Sequence, residues 1–212
     1  MASKRQVVAN NPCCPGYNPS KPTTWLLYVD ANALYTGSMR EYMPIGGHKW
    51  IDPEAVIALQ SSSNILEIPE DSDKGYILEV DLEYPLKLHK AHTAYPLALE
   101  NLEISAEEMS KYQQGLIEKL GHYMKTKKLV PNLNNKERYI IHYRALQCYL
   151  KLGMHLTKIY RVLEFNQSNW MKPFMNELVR SRTLATNDFE NNIYKLLGNA
   201  NYGKTVENIH KY

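Results

Sequence analysis

A chain of 212 residues is long enough to bury a hydrophobic core as one domain, or as a domain with an appended subdomain. Its apolar fraction of 44% and charged fraction of 22% match ordinary globular proteins and favour neither a disordered nor a fibrous class. Net charge is only +3, no apolar run approaches the roughly 20 residues that cross a bilayer, and three cysteines are too few for a disulfide framework.

Residues 1–23 carry Pro12, Pro15, Pro19 and Pro22 with little periodicity and are expected to form an extended arm. The opening Met-Ala-Ser-Lys-Arg lacks the apolar stretch of a secretory signal, so an intracellular location without membrane attachment is expected. Cys13 and Cys14 have no matching pair at zinc-ligand spacing. Thr24–Ala31 has a β-favouring Trp-Leu-Leu-Tyr-Val core with apolar residues on both faces, which predicts a buried strand ending at Asp30 or Ala31. Asn32-Ala-Leu-Tyr then turns the chain into a short helical stretch. Gly46-Gly47 and Pro53 predict loops before a weak helix at 54–60.

Gly75–Tyr84 reads as a strand with Glu79, Asp81 and Glu83 on one face, ended by Pro85. Ser105-Ala-Glu-Glu108 has the form of a capping box, followed by Met109, Tyr112, Leu116 and Leu120 at helical spacing. Arg138–Tyr143 is a further strand, Ala145–Leu152 a helix closed by Gly153, and Leu156–Phe165 another strand. Two helices follow, Trp170–Arg180 with Pro173 in its first turn, and Asp188–Ala200 capped by Asn187 with Glu190 three residues on. Strands followed by a helical hairpin predict an α+β fold.

Charge is segregated along the chain. Residues 52–108 hold 13 acidic and 3 basic side chains, a balance of −10. Residues 119–161 hold ten Lys and Arg against Glu137 alone, a balance of +9, with five tyrosines interleaved. That mixture suits contact with a phosphate backbone and bases, and equally suits a solvated basic face over a tyrosine core.

Asp30 closes a predicted strand beside the Ala31 carbonyl, and hard oxygen ligands at a strand end suit Mg²⁺. On Asp188–Ala200 the residues Phe189, Ile193, Leu196, Leu197 and Ala200 form the expected core-facing stripe. Lys195, Asn199 and Tyr202 run i, i+4, i+7 on the opposite, exposed face, where they could grip a triphosphate and a base; an ordinary polar helix face has the same pattern. Gly198-Asn-Ala-Asn-Tyr-Gly203-Lys204-Thr205 also satisfies the spacing of a nucleotide-binding P-loop, but its glycines end a helical stretch instead of following a strand and opening a helix.

Asp30-Ala-Asn-Ala-Leu-Tyr35 resembles the first polymerase motif of family B DNA polymerases, D-x-x-S-L-Y-P. Lys195-Leu-Leu-Gly-Asn199-Ala-Asn-Tyr202-Gly203 resembles the second, K-x-x-x-N-S-x-Y-G, and the order is the same. Gly75–Pro85 and Tyr95-Pro-Leu-Ala resemble the protein-primed branch of bacteriophages, linear plasmids and virus-like transposons. The resemblance implies a DNA-directed DNA polymerase, with an extended arm at 1–23 and a partial palm with an insertion at 24–165. Fingers helices and the start of the return to the palm occupy 166–212. It implies Mg²⁺ held by Asp30 and the Ala31 carbonyl, with Asp30 and Lys195 in the catalytic roles.

Asn32, Leu34, Tyr35, Arg182, Lys195, Asn199, Tyr202 and Gly203 are then placed around the incoming nucleotide. Tyr35 would lie beneath the sugar, and Arg182 would be a second triphosphate contact. The implied partners are a DNA primer-template, deoxynucleoside triphosphates and a terminal protein primer. Ala33, Thr36 and Ala200 depart from the family's serine, proline and serine. No Y-x-D-T-D-like strand follows Tyr212, so an incomplete fragment lacking the second metal-binding aspartate is expected, with Asp81 a poor substitute on spacing. A non-catalytic nucleic-acid-binding relic and a P-loop nucleotidase are the alternative readings.

Overall fold

The computed structural model describes residues 8–29, 33–60, 64–121 and 126–211. The architecture is α+β, as expected, with an antiparallel four-stranded sheet, packed helices and a helical hairpin. In chain order the elements are α1 (Leu34–Ser38), β1 (Met43–Trp50), α2 (Pro53–Gln60), α3 (Asn64–Glu67), β2 (Lys74–Glu83), α4 (Leu86–His92), β3 (Glu100–Leu102) and α5 (Lys111–Leu120). They continue with β4 (Lys128–Val130), β5 (Lys136–His142), α6 (Tyr143–Lys151), β6 (His155–Ser168), α7 (Lys172–Leu184) and α8 (Asp188–Thr205). The sheet order is β1-β6-β2-β5, and β3 pairs with β4 in a separate ladder.

Two compact units divide the chain. The first gathers Trp50–Glu67 and Tyr76–Leu163; the second gathers the described parts of Lys4–Lys49, Ile68–Gly75 and Glu164–Tyr212. In the first unit the alternation expected of β2 is realised, with Leu78, Val80 and Leu82 buried. Leu78 lies opposite Ile141 and Val80 opposite Tyr139; the register then slips before Leu82 meets Lys136. Arg138 absorbs the slip with φ of 49°, and its N–H donates to Asp81 Oδ1 at 2.8 Å. Helix α6 starts at the His142 cap and buries Tyr143, Leu146 and Gln147; the Gln147 amide donates to the Ile65 carbonyl at 2.6 Å.

The opposite charges of the two segments meet across this sheet. Glu79 on β2 accepts from Arg161 on β6 and from Arg138 Nη1 at 3.2 Å. The Arg161 hydrogen bond holds the Glu79 carboxyl below its usual range against the cost of desolvation, with help from Arg138. Asp81 accepts from the Arg138 N–H and from Tyr160 OH at 2.8 Å, and the former holds its carboxyl low. Lys136, with its side chain fully buried, donates to Glu100 at 2.7 Å. The basic, tyrosine-rich stretch is thus partly spent on the acidic one: Tyr143 lies in the core, and Arg138 and Lys158 each lie 4.3 Å from the Tyr160 ring.

In the second unit, Met39, Met171, Met175 and Leu178 form a core, with Met43, Tyr194 and Tyr202 packed against it. Helix α7 carries Pro in its first turn, and α8 is capped by Asn187, whose side chain accepts from the Glu190 N–H.

Several expectations are corrected. The predicted strand at 24–31 is not one over its described part: residues 24–29 have no regular structure, and Trp25 to Val29 are exposed, Tyr28 by 93%. High β-propensity expresses itself through cross-strand partners, and none of the strands among the described residues pairs with this segment. The arm does not simply extend, because residues 10–24 close a loop. Asn10 Nδ2 donates to the carbonyls of Asn18, Lys21 and Pro22, its Oδ1 accepts from the Asn18 N–H, and its backbone carbonyl accepts from the Thr24 N–H at 2.9 Å. The amide's ability to mimic backbone groups overrides the extending tendency of the prolines.

Gly46 and Gly47 lie inside β1 instead of a loop. Both have positive φ, 130° and 68°, and a Cβ on Gly47 would come within 2.4 Å of Asn166 Nδ2. The Ser105–Glu108 capping box is present but closes only a 3-10 turn; α5 starts at Lys111 behind a second box, Ser110 and Gln113. Helix α4 and the β3–β4 ladder lack the sequence periodicity that would have announced them.

Candidate nucleotide-binding site

The N-terminal motif and the α8 motif meet within the second unit. Helix α1 is preceded by Ala33, which has φ of 52° and ψ of 38°, a left-handed conformation that costs a residue with a Cβ roughly 1–2 kcal/mol. The short helix packs on α8, and the Tyr35 and Tyr202 rings stack with centroids 4.2 Å apart and planes inclined by 11°. One turn back on α8, Gly198 faces Thr36, and a Cβ there would lie 2.8 Å from Thr36 Oγ1. The closeness therefore depends on a residue without a side chain in the middle of a helix, where glycine is otherwise unfavourable by about 1 kcal/mol.

This packing reverses the face assigned to α8. Phe189, Ile193, Leu196, Leu197 and Ala200, expected to point into the core, are exposed, Phe189 by 74%. The inward side is instead formed by Asn191, Tyr194, Gly198 and Tyr202. Apolar periodicity identifies the most hydrophobic side of a helix, but here close approach is permitted at Gly198, and the methionine core accepts the flat tyrosine rings. Lys195 and Asn199 are exposed and share a face with Tyr202, as their spacing requires.

Of the remaining residues, Leu34 is exposed, and a Cβ on Gly203 would point into open space. Arg182, in the last turn of α7, is half-buried and its Nε donates to Asn191 Oδ1 on α8 at 2.9 Å. The resemblance does not single out Asn191; its position one turn before Lys195 is the signal that could have found it. Asp30, Ala31 and Asn32 lie outside the described residues. Among the described residues no three His, Cys, Asp or Glu side chains converge to hold a metal ion. Asp81 accepts from the Arg138 N–H through Oδ1 and from the Tyr160 hydroxyl through Oδ2, so its carboxylate is already engaged within the sheet.

The P-loop pattern has the wrong geometry. Gly198 to Thr205 are continuous helix, and Lys204 is paired with Glu207 one turn on, so no strand-to-helix cradle of N–H groups forms there. Among the described residues no helix is long and apolar enough to cross a membrane. Comparison with family models, with curated proteins and with solved structures finds no match.

Proposed function

We propose that this chain provides the nucleotide-binding part of a DNA-directed DNA polymerase of the family B, protein-primed type. The observation that carries the reading is the Tyr35–Tyr202 stack, which joins two motifs far apart in the sequence that the family resemblance independently assigns to one nucleotide site. The left-handed Ala33 supports it, because strained backbone of this kind clusters where ligands are held. In this reading Lys195 attracts the triphosphate, Asn199 faces the nucleotide, and the two tyrosines form the surface against which sugar and base lie. Asp30 and the Ala31 carbonyl would hold Mg²⁺, whose charge neutralises the transferring phosphate. The primer 3′-hydroxyl attacks the α-phosphate, and pyrophosphate leaves. Primer-template DNA and a terminal protein primer are the partners proposed with it.

The binding-module reading draws less support, because Lys136, Arg138 and Arg161 of the basic stretch are engaged by carboxylates of the same chain. Calorimetric titration of the protein with deoxynucleoside triphosphate and Mg²⁺ tests the proposal. Lys195→Ala should weaken binding at least tenfold, the loss of about one charge-assisted contact. Unchanged affinity in that variant refutes the nucleotide site.

A further inference from the structure

The cations of the α7–α8 hairpin fall into two groups. Arg180 pairs with Glu177 at 3.4 Å and Lys204 pairs with Glu207, whereas among the described residues no carboxylate pairs with Arg182, with Lys195 or with Lys172 at the far end of α7. Arg182 is half-buried and is held instead by a neutral amide, Asn191 Oδ1, through its Nε. A carboxylate at position 191 would cancel the charge; an amide fixes the guanidinium and leaves the charge available. With Nε engaged, both Nη groups, four N–H donors in a planar fork, remain for another acceptor.

Asn191 also stands in register with the polar stripe. It precedes Lys195 by four residues, so their β carbons are about 5–6 Å apart on one helix face, and Asn199 and Tyr202 continue that face. Helical rise separates Lys195 from Tyr202 by about 10 Å. Read along α8, the order is two cations, an amide, then the Tyr35–Tyr202 stack. A nucleoside triphosphate has the same order of chemistry, anionic phosphates at one end and a flat base at the other.

Resting on the nucleotide reading above, we propose that Asn191 is a positioning residue: it holds the Arg182 guanidinium beside Lys195, so that the two helices of the hairpin grip the polyphosphate of a nucleoside triphosphate between two uncompensated cations. Asn191 itself acts through Arg182. Without its acceptor, the guanidinium must be ordered anew by each ligand, and that cost appears as lost affinity.

The test is titration calorimetry of the whole chain with two probes, dATP with Mg²⁺ and inorganic tripolyphosphate. Asn191→Ala and Arg182→Ala should each weaken both probes by about tenfold, the worth of one hydrogen bond to a charged group. Tyr202→Ala should weaken only dATP, because tripolyphosphate has no base. Combining Asn191→Ala with Arg182→Ala should give no further loss, because Asn191 acts only through Arg182. A loss from Asn191→Ala that persists in the Arg182→Ala background would mean that it acts through helix structure and would overturn the inference. So would an Asn191→Ala protein that binds both probes like the parent while Lys195→Ala does not. Failure of Lys195→Ala to weaken dATP would instead remove the nucleotide reading itself.

Discussion

Substituting Gly198 by alanine tests whether the contact between α1 and α8 is as close as the Tyr35–Tyr202 stack requires. In an exposed helix interior the change would be favourable by about 1 kcal/mol. Here the new methyl group would lie 2.8 Å from Thr36 Oγ1, well inside van der Waals contact. Overpacking of this kind costs about 1–3 kcal/mol, and the lower part of that range applies because the hydroxyl belongs to a side chain that can rotate. The two effects combine to a net destabilisation of roughly 0–1 kcal/mol for Gly198→Ala alone. In a Thr36→Ala background the oxygen is gone and the full propensity gain of about 1 kcal/mol should return. Urea unfolding of the parent, both single variants and the double variant should therefore give a coupling energy of about 1–2 kcal/mol. Near-ultraviolet circular dichroism should report loss of the tyrosine stack only in the Gly198→Ala single variant, where the Thr36 hydroxyl still opposes the new methyl group. A coupling below about 0.5 kcal/mol, or plain stabilisation by Gly198→Ala with Thr36 in place, would refute the close approach.

Lys136→Ala should destabilise the first unit by about 3 kcal/mol, the low end for a broken buried pair, because Glu100 retains some contact with water; chemical denaturation measures it. The pH dependence of stability should be traceable to His142. Burial, and then the nearby Arg144 charge, push its pKa below the ordinary value of 6.5, and its Nδ1 accepts the Arg144 N–H that starts α6. The folded state thus favours neutral imidazole, so this contribution is complete above pH 6.5 and declines as pH falls below it. His142→Asn, which preserves a capping acceptor, should flatten the stability profile between about pH 7 and 5. Glu79, Asp81, Glu100 and Glu164 have depressed pKa values, so their contributions persist until the pH drops beneath the ordinary carboxylate range near 4. An unchanged slope in His142→Asn would show that another group titrates there.

Local features were legible wherever neighbours in sequence settle the structure. Asn187 capping α8, Pro173 opening α7, the alternation of Leu78, Val80 and Leu82, and the short helix after Asn32 all depend on bonds or steric preferences within a few residues. The charge segregation was also visible, but its meaning was not. Whether ten basic side chains meet nucleic acid or the chain's own carboxylates is a question of which strands become neighbours, and Glu79 between Arg138 and Arg161 answers it for two of them.

The candidate site divides in the same way. Its residue types were readable, because a lysine, an amide and a tyrosine at i, i+4, i+7 share a helix face whatever surrounds them. Which face of α8 turns inward was not, since the most apolar stripe lost to the side where Gly198 lets α1 approach. The fate of Trp25 to Val29 was equally undetermined, because a β-favouring segment becomes a strand only when another strand pairs with it. The sequence by itself determined the α+β outline, the helix caps and the chemistry available along α8. Tertiary structure alone decided that Tyr35 meets Tyr202 and that Arg182 meets Asn191, because both pairings depend on how separate helices pack.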